Sequence, residues 1–144
     1  MVNPSTIAAM LVSTLIVFAL PMILGVIFVR RWGASPLAVG VGVLGFLVPQ
    51  VLIRIPVLQW LNQQPFYQEL AAQPWFLAFF LSLTAGLFEE TGRWIGFRYL
   101  LKNRLQFKNA LAYGVGHGGF EAIFLVGLGY LNLIIFSFMI NNGT

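Results

Sequence analysis

A chain of 144 residues with 59% hydrophobic and only 8% charged residues forms one domain at most, and its mean hydropathy of +0.87 separates it from soluble domains, in which about a quarter of residues are charged. Eight basic and four acidic residues leave a net charge of +4, yet no basic run or basic helical stripe forms a nucleic-acid surface. Zero cysteines exclude a disulfide framework, a thiolate zinc site and a cysteine nucleophile, and a single histidine means that carboxylates must supply most ligands of any metal.

The chain reads as an all-α, polytopic transmembrane helix bundle with about four spanning helices, a single membrane domain over 1–144. The first apolar run, 6–29, has no charge and exceeds the roughly 20 residues a spanning helix needs. It ends at Arg30, Arg31 and Trp32. Its length, and a leader without a basic residue, favour a retained span over a cleaved signal peptide. The second run, 37–57, follows the turn-forming Gly33-Ala34-Ser35-Pro36, carries Gly40, Gly42 and Gly45, and is interrupted at Pro49. Arg54 and Trp60 mark its far end, where a long cationic side chain snorkels to the headgroups.

Residues 61–74 turn polar between Pro65 and Pro74 and form the one substantial loop, part of it expected to lie along the interface as a short helix. The third span, 75–101, starts at Trp75 and contains Glu89, Glu90 and Arg93; Lys102, Arg104 and Lys108 close it. The fourth, 110–140, is interrupted by His117, Glu121 and the glycines between Gly114 and Gly119. Basic residues gather between spans one and two and between spans three and four, whereas the loop between spans two and three has only Glu69. The positive-inside rule therefore places the N-terminus and the 61–74 loop outside in a multi-pass integral membrane protein.

An ionised group near the bilayer centre costs about 2.5–3.5 kcal/mol on insertion scales, so three glutamates, an arginine and a histidine within two apolar helices need a reason. Helical spacing lets Arg93 reach Glu89 four residues away or Glu90 three away, and puts His117 and Glu121 on one face. Depth agrees: Glu90 lies about 18 Å above Lys102, and His117 about 14 Å above Lys108. Two polar stripes at one level, with glycines allowing close approach, predict a buried polar site between the third and fourth helices. Arg93 paired with one glutamate is a structural pair; the second glutamate then lacks a cation, and adjacent carboxylates in a low dielectric cannot both ionise cheaply. That is how a carboxylate becomes a general base near neutral pH.

The block Phe88-Glu89-Glu90-Thr91-Gly92-Arg93-Trp94, followed by Tyr113-Gly114-Val115-Gly116-His117-Gly118-Gly119-Phe120-Glu121-Ala122, resembles the bacterial YhfC family of membrane peptidases, within the wider group of CAAX-type and Abi intramembrane metalloproteases. Glu89, Glu90 and Arg93 match the first motif of that wider group, and Tyr113 with His117 the second. The resemblance implies that a glutamate of the pair activates water and that His117 binds a metal or stabilises the tetrahedral intermediate. It also implies a third motif with another histidine, which this chain lacks. The chain is thus expected to be a fragment or short member, with further helices from a missing C-terminal part or a partner chain.

Two readings follow. In the first, an intramembrane endopeptidase uses a divalent cation such as zinc, with Glu89, Glu90 and His117 catalytic, Arg93 and Glu121 supporting, and His117, Glu121 and Glu89 as candidate metal ligands; its substrate is a peptide or membrane protein. In the second, a non-catalytic scaffold or transporter subunit retains the same helices.

Overall fold

The computed structural model describes residues 1–143, which form helices and, among these residues, no strand. α1 (Pro4–Arg30) begins where Pro4 has no N–H that needs an acceptor and the Asn3 side chain accepts from the Ser5 N–H at 3.0 Å. Its 27 residues extend about 40 Å, more than the roughly 30 Å hydrocarbon core. Gly33 reverses the chain at a φ of +63°, a conformation disfavoured once a Cβ is present. The Ala34 N–H closes the turn on the Phe28 carbonyl at 3.0 Å.

α2 (Pro36–Phe46) runs through a π-helical stretch (Leu47–Arg54) into α3 (Ile55–Leu61), and Pro36–Leu61 is one 26-residue rod. Pro49 accounts for the wider turns, because it gives the helical ladder no N–H and its ring crowds the preceding turn. The interruption expected there is a change of pitch rather than a break. In the polar loop α4 (Pro65–Ala71) forms, and its buried Tyr67 packs on Phe76 and Phe80 with ring centroids 6.4 and 5.4 Å away. α5 (Pro74–Ile95) and its π-helical extension to Leu100 leave α4 at 108°. α6 (Phe107–Glu121), a further π-helical stretch (Ala122–Gly127) and α7 (Leu128–Asn142) make a rod of 36 residues.

Among the described residues three rods are long and apolar enough to cross a membrane, with a fourth if the bent pair α4–α5 counts as one span. Large side chains such as Leu15, Leu83 and Phe136 are exposed, as a surface facing acyl chains requires. The fold is an all-α polytopic bundle, an integral membrane architecture.

The second rod is the centre of the bundle. It packs along α6 on one flank and along α5 on the other, while α1 covers α6 and reaches α7. The glycine-rich face of α6, expected to draw in the third span, is taken by α2 instead. Gly42 lies on the Tyr113 carbonyl and the His117 N–H, and Gly116 on the Val39 carbonyl, so closely that neither position has room for a Cβ. Two backbones reach this separation only where both helices carry glycine in register. Gly119 sits on Pro21 of α1, whereas Gly114 and Gly118 face open space. The π-helical extension of α5 meets α6 where the Phe97 and Tyr113 rings are 4.8 Å apart. A small core of Ala34, Ala38, Val41, Leu101, Ala112 and Tyr113 fills that end.

Candidate functional site

Glu89 and Glu90 leave α5 in different directions and have different partners. Glu90 turns outward and pairs with Arg93 at 3.0 Å, the two side chains 66% and 46% exposed. Glu89 is half-buried and accepts a hydrogen bond at Oε1 from Gln50 Nε2 at 2.5 Å. Gln50 Nε2 also donates to the Ala85 carbonyl at 3.2 Å, and Gln50 Oε1 accepts from an Arg54 guanidinium N–H at 3.2 Å. Arg54 is tied to α5 in turn, donating to the Leu81 carbonyl at 2.7 Å and to Thr84 Oγ1 at 3.2 Å.

Where the sequence sends the Arg54 side chain toward the headgroups, the structure holds it against α5. Its guanidinium turns into the bundle because the Leu81 carbonyl, Thr84 and Gln50 offer three acceptors at its level, a more complete set of partners than a snorkelled position needs. Gln50 itself was missed. Its signal was available, since Gln50 and Arg54 are polar, four apart, and stand in an apolar run just as Glu89 and Arg93 do.

His117 is buried on α6. Its ring meets Phe46 edge-on at 5.6 Å and stacks on Tyr113 at 5.9 Å and 25°. His117 Nδ1 and the Tyr113 hydroxyl are both buried without a hydrogen-bond partner. Leaving such an atom unmet costs about 1–3 kcal/mol, and two of them one helical turn apart are a place where a ligand or water restores the missing bonds. Glu121, one turn further along α6, is half-buried and has no side-chain partner among the described residues.

The second rod relates these two groups. Phe46, against His117, and Gln50, against Glu89, are four residues apart on that rod, the first facing α6 and the second facing α5. Between the second rod and α5, a cavity of about 460 Å³ is lined by Gly45, Pro49, Leu87, Phe88, Thr91 and Gly92. It is almost wholly apolar.

As a metal centre the donor set is incomplete. Among the described residues no three histidine, aspartate or glutamate side chains come together; the candidate ligands His117 and Glu121 supply two donors at most, and Glu89 is engaged by an amide. A zinc site needs three or four protein ligands. The residues present do not fit one by themselves.

Residues 16–144 match the family model described as YhfC intramembrane metalloprotease. The chain belongs to this family. A YhfC relative from Bacillus subtilis (strain 168), described as an uncharacterized membrane protein, is 37% identical over 148 residues, covering 100% of this chain and 56% of that protein. The chain thus spans about half the length of the curated YhfC relative it matches. No solved structure matches it significantly. The match takes in both polar stripes of this chain, Glu89 to Arg93 and Tyr113 to Glu121, together with the Gln50 and Arg54 ladder that holds the first.

Proposed function

We propose that this chain contributes a peptide-hydrolysing site within the membrane, with Glu89 as the base that takes a proton from water. The observation carrying this reading is the unequal treatment of the two carboxylates: Glu90 is neutralised by Arg93, whereas Glu89 has only the neutral Gln50 amide. Gln50 holds Oε1 and leaves Oε2 without a protein partner among the described residues. An oriented carboxylate with one free oxygen and no neutralising cation suits general-base work. Its proton would come from a water attacking the carbonyl of a substrate peptide, and the amide leaving group would then receive it.

The buried Tyr113 hydroxyl and His117 imidazole are the polar groups left to bind the substrate carbonyl or its tetrahedral adduct. The apolar cavity beside Leu87 and Thr91 suits a membrane-embedded peptide or protein segment. The divalent cation that the family description implies needs donors beyond His117 and Glu121, and no step is assigned to it. The exposed Glu90–Arg93 pair marks the side on which further helices or water would cover the charge.

One observation favours the non-catalytic alternative, a scaffold or transporter subunit: the incomplete donor set. Reconstituting the chain with single-pass transmembrane peptides in H2¹⁸O and reading the products by mass spectrometry separates the two. Hydrolysis places ¹⁸O in a new carboxylate, and Glu89→Gln is expected to slow it by about 10²–10⁴-fold. Cleavage by neither returns the chain to the scaffold reading, and equal cleavage by wild type and Glu89→Gln removes Glu89 from the chemistry.

A further inference from the structure

Two neighbouring cavities at the basic end of the bundle have complementary chemistry. A groove of about 500 Å³ between α1, α2 and α6 is walled by apolar side chains such as Met22, Val26, Val43 and Phe120, and Arg30 is the single charged residue lining it. Beyond its end lies a cleft of about 470 Å³ lined by polar and cationic groups, among them Ser35, Asn103, Arg104 and Lys108, with no acidic residue. Pro36 lines both and joins them.

The cleft is braced. Asn109 accepts from the Ser35 N–H at 2.7 Å and donates to the Arg104 carbonyl at 2.9 Å, tying the turn after α1 to the loop before α6. Arg104 donates to Ser35 Oγ at 3.0 Å, and Lys108 Nζ stands over Gly33. None of Arg30, Arg104 and Lys108 has a carboxylate partner; among the described residues the ion pair is Arg93 with Glu90. Concentrating cations without counter-charge favours an anion between them.

We propose that groove and cleft together bind one anionic phospholipid, with an acyl chain along the groove and the phosphate among Arg30, Arg104 and Lys108. A small anion would leave the apolar groove empty, and a neutral lipid would leave the cations unmatched; an amphiphile with a negative head satisfies both. Trp32, exposed beside Arg31, sits where an indole marks the headgroup level. Basic pockets between membrane helices bind such headgroups.

The test is native mass spectrometry of the detergent-purified chain offered phosphatidylglycerol and phosphatidylcholine in equal amounts. One phosphatidylglycerol per chain is expected to be retained in preference to phosphatidylcholine. Arg30→Gln, Arg104→Gln and Lys108→Gln should each lower retention about fivefold, the equivalent of about 1 kcal/mol per cation. Gly40 lines the groove and has open space where a Cβ would stand, so Gly40→Leu fills the groove and should abolish retention while circular dichroism stays unchanged. Equal retention of the two lipids, displacement by inorganic phosphate at the lipid's own concentration, binding that survives Gly40→Leu, or a second copy of the chain in place of lipid each overturns the proposal.

Discussion

Gln50 and Glu89 join the second rod to α5 through a 2.5 Å hydrogen bond from amide to carboxylate. The amide stands in a π-helical stretch created around Pro49, so a local defect in one helix sets the direction of an acidic side chain on another. Replacing Gln50 by Leu strips Glu89 Oε1 of its donor and frees Arg54 from one acceptor. The expected loss is about 1–3 kcal/mol, read as a lower unfolding midpoint in detergent. Any ¹⁸O-labelled cleavage should fall with it.

The glycines of α6, taken with Gly42 of α2, divide into two classes that a stability scan can separate. Gly42→Val or Gly116→Val puts a side chain where a backbone carbonyl of the neighbouring rod already lies, and overpacking of this kind costs about 1–3 kcal/mol or more. Gly114→Ala and Gly118→Ala meet open space and should be neutral or stabilising, by up to about 1 kcal/mol, because alanine is the better helix former. Thermal unfolding of the four variants checks the ordering.

His117 distinguishes a structural tie from a functional group. Its Nδ1 makes no hydrogen bond, so His117→Leu should leave the unfolding midpoint unchanged or raise it, by up to about 1–3 kcal/mol in stability, while removing hydrolysis. A lowered midpoint would show that the imidazole serves packing rather than chemistry.

The absence of cysteine makes single-cysteine labelling direct. With the N-terminus outside, Ser5→Cys in intact cells should react with a membrane-impermeant maleimide, and Lys102→Cys only after the membrane is opened. The reverse pattern would invert the topology. Glu90→Cys reports on the exposed pair: rapid labelling places that face in water, and protection places it against lipid or protein.

The hydrophobic runs alone determined that this is a helical membrane bundle, since backbone groups in hydrocarbon are satisfied only within helices or closed barrels and these runs have helical length. They also marked the unusual side chains, because an ionisable group in such a run is costly wherever it points. The neighbours of those side chains were decided only by tertiary structure. Glu89 and Glu90 are adjacent in the chain, yet about 100° of helical rotation per residue separates a carboxylate held by Gln50 from one held by Arg93. The glycines of α6 announced a close helix contact that the sequence assigned to the third span; the matching Gly42 on α2 claimed it, because backbone contact requires both partners to lack a side chain at the same level.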